Sequence, residues 1–250
     1  MSTPQHSTFR RPGFILAAAV IVAIVILGVL AVILFNRHPA AAPAGAAPST
    51  VTSPPVTEQS PRSADASVCG LSGLVRSGTL TTAPTVDQWQ YEGTVAYPTN
   101  KKYGPGRTDE QGIRTCFQHS PTGALYMAAN TVAAASDPDR SKVAAWAPEA
   151  ISSGTYRDQL LSGVGSTTST SDESVRYHIV GFHVLTYSMS AATVDIALQV
   201  SGSGKTFDAS AVYYLVWQDG DWKANADMQS PFSFSTIADL SGYVMWGSNG

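Results

Sequence analysis

The chain has 250 residues, of which 13% are charged and 44% hydrophobic, and its formal net charge is −3. This composition excludes collagens, coiled coils and disulfide-dense scaffolds, since the chain holds only two cysteines and lacks the residue bias of the other classes. From residue 67 onward there are eleven basic and sixteen acidic residues, a net charge of −5. That charge argues against a domain that binds nucleic acid directly, because phosphate contacts need clustered cations.

The first predicted element is a transmembrane helix over 13–35, preceded by a short tail over 1–12. The run begins at Gly13, ends at Phe35, and contains neither a charged residue nor a proline. Its length reaches about 34 Å as a helix, enough to cross a hydrocarbon core of about 30 Å. The alternative is a cleavable signal peptide, whose apolar region would be about 7–15 residues long. We therefore expect a retained single-pass anchor.

Basic residues beside this run predict its orientation. Arg10 and Arg11 precede it, whereas Arg37 follows it and the next cation is Arg62. Because basic flanks favour the cytoplasmic side, we expect a cell-membrane protein with its N-terminus inside and its C-terminal domain extracytoplasmic.

A linker is predicted over 36–66. It contains six prolines among alanine, serine and threonine, and it cannot bury enough apolar surface to offset the entropy of ordering. We expect a disordered, extended spacer that holds the domain away from the bilayer. O-glycosylation of its serines and threonines is a further role that the composition allows.

The two cysteines, Cys69 and Cys116, both fall in the single domain expected over 67–250. On the extracytoplasmic side disulfides persist, so we predict one bridge between them. The alternative is a pair of buried free thiols. Metal binding is not expected, because neither cysteine has a Cys-x-x-Cys partner.

Helical signals come first in this domain. Ser120 and Pro121 are typical of an N-cap and a first helical residue. Asp137, followed by proline, is predicted to end that helix and to cap a second. A third helix is predicted near 155–162, with Gly163 as its C-terminal stop.

Strand-like alternation fills most of the remainder, over 89–97, 175–187, 193–200, 211–218 and 222–224. Pro98 is predicted to end the first strand, and Asp219-Gly220 is a type I′ hairpin signal. Helices followed by packed antiparallel strands predict an α+β domain. The apolar tail over 228–250 is expected to pack on the domain or to present a sticky edge to a partner.

Two apparent site motifs are explained by the predicted strands. The string SGSGKT over 201–206 ends like a phosphate-binding loop, but that motif needs glycine at the position of Gln199, so a hairpin turn is expected. His178 and His183 are five positions apart on a predicted strand and would point to opposite faces, so they would not share a metal. We expect no metal, no cofactor and no catalytic set.

Three residues remain as candidates for a pocket or an interface: His119, Trp217 and Trp222. His119 stands beside the predicted helix start, where a structural hydrogen-bonding role is the alternative. The two tryptophans flank the Asp219-Gly220 turn, where cross-strand packing is the alternative.

Motifs between residues 89 and 130 resemble a known family. They are Trp89, the run 93–96, Pro98, Gly104-Pro105-Gly106, Gly112, Arg114, Cys116-Phe117, the run 119–125 and the run 128–130. The family comprises uncharacterised actinobacterial single-pass membrane proteins associated with integrative and conjugative elements. More distantly, the plan of anchor, helices and sheet is similar to type IV secretion inner-membrane scaffold subunits, which carry a nuclear-transport-factor-like cone domain. Neither relative implies catalytic residues.

The resemblance implies a cone-like domain of about three helices on a curved antiparallel sheet. It also implies a non-enzymatic scaffold subunit of a conjugative DNA-transfer or secretion assembly, with envelope proteins as partners and homo-oligomers allowed. The alternative function is a small-ligand-binding or sensor domain that uses a cavity enclosed by the cone.

Overall fold

The computed structural model describes residues 65–166 and 175–248, all within one unit of the chain, Glu58–Gly250. The elements of these described residues are, in chain order, β1 Gln88–Glu92, β2 Val95–Thr99, β3 Arg107–Thr108, β4 Arg114–Thr115, α1 Pro121–Ala135, α2 Arg140–Ala150, α3 Arg157–Ser166, β5 Arg176–Tyr187, β6 Ala191–Gly202, β7 Lys205–Gln218, β8 Asp221–Ala224, β9 Phe232–Ile237 and β10 Val244–Met245. Three helices pack with a mostly antiparallel sheet, so the predicted α+β class is confirmed.

The predicted tail, transmembrane helix and nearly all of the linker, over 1–64, lie outside the described residues. Of the helices in the described ranges, none is long and apolar enough to cross a bilayer.

Helix α1 begins as predicted and forms the centre of the fold. The Ser120 side chain accepts a hydrogen bond from the Gly123 amide, and Pro121 occupies the first helical position. Nearly the whole helix is buried. Its alanine-rich surface allows close packing against the β1–β2 hairpin on one side and β5, β6 and β8 on the other.

The other two helices differ from the prediction at their ends. Asp139, rather than Asp137, caps α2 by accepting a hydrogen bond from the Ser141 amide. Asp137 instead accepts from the Asp139 amide and so shapes the turn between the helices. Helix α3 continues through Gly163 to Ser166, because a glycine weakens a helix without ending it.

The single strand predicted over 89–97 is wrong, because this segment is the hairpin β1–β2. Gly93 turns the chain with a φ of 57°, a conformation in which a Cβ atom is unfavourable. Pro98 does not end the strand but lies within β2 and pairs with Trp89. In a two-stranded sheet each strand is an edge, where proline is tolerated.

The main sheet has the strand order β10-β5-β6-β7-β8, and β9 pairs with the part of β7 that β8 leaves free. Two of the three turns in the meander β5-β6-β7-β8 have two central residues with positive φ: Ser203 and Gly204 at 52° and 73°, and Asp219 and Gly220 at 56° and 78°. These are the values of type I′ hairpins. The SGSGKT string is therefore the predicted hairpin.

The prediction that His178 and His183 point to opposite faces is wrong. A bulge between Ile179 and Gly181 adds one residue to β5, so that His178 lies opposite Gln199 and His183 opposite Asp195. Because residues 195 and 199 of β6 share a face, both histidines lie on that face too. They remain four strand positions apart, about 13 Å along β6.

The apolar tail packs on the domain as a strap, which we define as residues 238–248. It runs from β9, on the edge of β7, to β10, on the opposite edge of the sheet beside β5. On the way the Tyr243 hydroxyl donates a hydrogen bond of 2.7 Å to Asp195 of β6. At its end Trp246 is buried against the rings of Trp89, Tyr126 and Phe182.

Candidate functional site: an aromatic joint beneath the N-terminal arm

The first described residues form an arm, 65–69, that lies on the β7–β8 hairpin. The Val68 amide donates a 2.8 Å hydrogen bond to the Gly220 carbonyl. A Cβ atom at position 220 would come within 2.9 Å of the Ala66 carbonyl oxygen and the Val68 nitrogen. Glycine is therefore required here both by its positive φ and by the close approach of the arm.

A disulfide joins the end of this arm to the segment before α1. Cys69 and Cys116 are bridged, with their Cα atoms 6.0 Å apart. Cys116 is fully buried and has a φ of 69°, which is uncommon for a residue with a side chain. The Ser67 hydroxyl lies 2.8 Å from the Cys116 sulfur, so the arm contacts the bridge at two places.

The three residues predicted for a pocket or an interface meet directly below the arm. The His119 ring stacks on Trp217, with centroids 3.8 Å apart and planes 6° apart. The Trp222 ring stands at a steep angle to both rings. Its centroid lies 5.7 Å from that of His119 and 5.3 Å from that of Trp217. We call this cluster the aromatic joint. His119 and Trp222 are buried, whereas Trp217 is half-buried.

Hydrogen bonds of His119 tie the joint to two distant segments. Its Nδ1 lies 2.8 Å from the Asp65 carbonyl oxygen, and its Nε2 lies 2.6 Å from the Met189 carbonyl oxygen. A carbonyl oxygen only accepts hydrogen bonds, so a ring nitrogen of His119 that carries a proton donates to it. His119 therefore has the structural hydrogen-bonding role that the sequence analysis gave as the alternative.

Asp221 is the buried carboxylate beside the joint. Its oxygens accept hydrogen bonds from the backbone amides of Cys116 at 2.6 Å and Phe117 at 2.8 Å, and from its neighbour Trp222 at 2.9 Å. Burial raises the pKa of Asp221 to about 6, against the lowering effect of these three donors. In the sequence, Asp221 directly follows the Asp219-Gly220 turn. In the fold it holds the unusual backbone of Cys116.

The space next to the joint is small. A cavity lined in part by Arg114, Trp146 and Trp222 has a volume of about 10 Å³, and a second cavity, near Glu92, is the same size. Such a volume holds one water molecule. The joint therefore packs the arm, the hairpin and the start of α1 together, and it reaches solvent through Trp217 and the arm.

Sequence reasoning missed a buried ion pair, whose arginine lines the first of these cavities. The Arg114 guanidinium contacts the Glu92 carboxylate and lies 3.9 Å above the centre of the Tyr97 ring. Burial is the main cause that raises the pKa of Glu92, while Arg114 opposes it. The pair fastens the β1–β2 hairpin to β4. Nothing in the spacing of residues 92 and 114 predicts it.

Among the side chains of the described residues, no three His, Cys, Asp or Glu groups come close enough to hold a metal ion together. On the outer face of the sheet, Asp195 accepts hydrogen bonds from Ser210 and Tyr243, both at 2.7 Å. This network attaches the strap to the sheet.

Comparison with known proteins gives a family. The model of a domain of unknown function, DUF8175, matches residues 46–245, most of the chain. The chain therefore belongs to the DUF8175 family. No curated protein and no solved structure matches it.

Proposed function

We propose that this member of the DUF8175 family is a non-enzymatic single-pass membrane protein whose extracytoplasmic domain binds other envelope proteins. Its role is that of a scaffold subunit in a conjugative DNA-transfer or secretion assembly. The proposal joins the domain described above to the anchor and linker predicted over 13–35 and 36–66.

The observation that carries the proposal is the disulfide between Cys69 and Cys116. These are the only cysteines of the chain, and structural bridges persist in oxidising compartments. An extracytoplasmic domain is also what the basic residues before 13–35 favour. Cys69 lies only a few residues beyond the linker, so the disulfide joins the start of the domain covalently to the segment before α1.

The shape of the domain supports the cone-like description. Strands β5, β6 and β7 are 12, 12 and 14 residues long, and β5 carries two register irregularities of the kind that bend a strand. A bent sheet around α1 is the arrangement that the resemblance to secretion scaffold subunits implies. In that comparison the domain acts by contacting other proteins.

The small size of two cavities in the described residues favours surface contacts over small-ligand binding. Sites for small molecules have volumes of about 300–1,000 Å³, whereas the cavities next to the joint and near Glu92 hold about 10 Å³ each. The alternative of a ligand-binding or sensor domain would require an opening of the packed layers.

The proposal is tested with the full chain in a donor cell that carries the assembly. We expect a reporter enzyme that is active only outside the cytoplasm to be active when it is fused after Gly250. A reporter that is active only in the cytoplasm should be inactive at the same position. We also expect photo-crosslinkers at exposed positions of the domain to capture envelope proteins, and deletion of the gene to reduce transfer. A cytosolic C-terminus would overturn the topology. Normal transfer without the protein, with no envelope protein captured, would overturn the assembly role.

A further inference from the structure

The edge of the main sheet at β9 is open and uncharged. Within the residues that the structure describes, β9 pairs only with β7, and its other edge has no strand beside it. The stretch 228–238, which contains β9, has no charged side chain, and Asp227 and Asp239 flank it. Soluble proteins usually protect such an edge with charges, prolines or bulges inside the strand. Strand β9 has none of these.

Exposed aromatic side chains line one face of this edge. In the β7–β9 register, Phe232 lies opposite Tyr213 and Phe234 opposite Ala211, both on the helix-facing side of the sheet. Phe207 of β7 lies on the same side, two positions before the buried Ala209. Phe207, Phe232 and Phe234 are 44%, 36% and 41% exposed. The ring centroids of Phe232 and the buried Tyr213 are 5.5 Å apart, so the exposed phenylalanines lie directly beside the hydrophobic core.

The charge distribution favours a second copy of the chain as the occupant of this edge. The domain carries a net charge of −5, so two copies repel each other over most of their surface. Along 228–238 that repulsion is absent, and like charges would not oppose each other in a strand pair. A strongly basic partner would find no carboxylate within 228–238 with which to pair.

The geometry of an antiparallel strand pair also suits two identical copies. Such a pair has its twofold axis normal to the sheet, so each face stays on the same side in both copies. The phenylalanines of the two copies would then form one continuous row, centred where Phe234 meets Phe234 of the second copy. Cross-strand aromatic pairs of this kind stabilise sheets.

We propose that β9 is the self-association edge of this domain: two copies pair antiparallel through Phe232–Ile237 and join their main sheets into one. The area of one strand edge is small, so the dimer is weak in dilute solution. The inference does not depend on the role in a transfer assembly. It describes the same dimer whether or not that role holds.

The test compares the full chain in detergent with two charge variants. Phe234→Lys places like charges opposite each other at the centre of the pair, and we expect self-association at least about tenfold weaker in analytical ultracentrifugation. The control, Leu185→Lys, alters a side chain of 45% exposure on β5 and is expected to leave self-association unchanged. If the dimer is equally stable in both variants, it forms elsewhere and the proposal is wrong.

A second measurement does not depend on the folding of the lysine variant. In membranes, Phe234→Cys is expected to give a reducible covalent dimer on mild oxidation, whereas Leu185→Cys is not. If Phe234→Cys links only to a different protein, the edge serves another partner and the proposal is overturned. A full chain that stays monomeric in detergent and gives no crosslink in membranes would also overturn it.

Discussion

Single residues of this domain act mainly by joining segments that are distant in sequence. His119 contacts the carbonyl groups of Asp65 and Met189, which lie 54 and 70 positions away. Asp221 reaches the amides of Cys116 and Phe117 from more than 100 positions away. Loss of the Asp221 side chain would leave the buried amides of Cys116 and Phe117 without these partners, which costs about 1–3 kcal/mol for each group.

The buried Asp221 makes stability depend on pH in a defined direction. Its pKa is raised from 3.8 to about 6 by burial, so the folded state keeps a proton that the unfolded state releases. The stabilisation of the folded state by this bound proton is fully present below about pH 4. It is lost as the pH rises through about 6, which lowers the free energy of unfolding by about 3 kcal/mol. We expect the free energy of unfolding in urea to show this fall between pH 4 and 7.

Two variants isolate this contribution. Asp221→Asn cannot titrate, so its free energy of unfolding should change less over this pH range, whatever its absolute value. Asp219→Asn alters an exposed residue of the same turn and should keep the pH dependence of the native chain. Parallel pH profiles for the native chain and Asp221→Asn would contradict the assignment.

At the scale of elements, the strap is held at both ends and in the middle. Strand β9 pairs with β7 at one end, Tyr243 bonds Asp195 in the middle, and Trp246 enters the core at the other end. Gly181 permits this path, because a Cβ atom there would come within 3.1 Å of the Val244 carbonyl oxygen. The strap thus encloses the sheet and connects its two edges.

Trp246 is expected to be the main anchor of the strap. It is 6% exposed and packs against three aromatic rings, so Trp246→Ala should lower the free energy of unfolding by about 3–5 kcal/mol. Met245→Ala, at a neighbouring residue of 59% exposure, should change it by no more than about 0.5 kcal/mol. Urea unfolding measures both. Equal effects of the two changes would show that the strap is not anchored in the core.

At the scale of the whole molecule, one disulfide joins the N-terminal arm to the segment before α1. The loop between Cys69 and Cys116 spans 47 positions and contains the β1–β2 hairpin. The bridge therefore restricts the unfolded chain over a quarter of the domain and also holds the arm on the aromatic joint.

Removal of the bridge should destabilise the domain strongly. The chain-entropy argument gives about 4 kcal/mol for a loop of this length. We expect Cys69→Ser with Cys116→Ser to lower the free energy of unfolding by about that amount, with the reduced native chain equally affected. Reductant should cause no further change in the double variant. An unchanged unfolding midpoint after reduction would contradict this expectation.

The sequence by itself determined the features that depend on neighbouring residues. The start of α1 at Ser120-Pro121 and the hairpin at Asp219-Gly220 were predicted correctly, because caps and tight turns are local. The apolar run over 13–35 is a prediction of the same local kind. The α+β class followed from the order of the helical and strand patterns.

Only the tertiary structure decided the features that depend on distant contacts. The bulge in β5 and the burial of Asp221 each depend on a partner that the local pattern does not show. The same holds for the aromatic joint, in which His119 and Trp217 meet from positions 98 apart. Side-chain patterns report which residues avoid water, whereas packing and the pairing of buried polar groups select the partner of each.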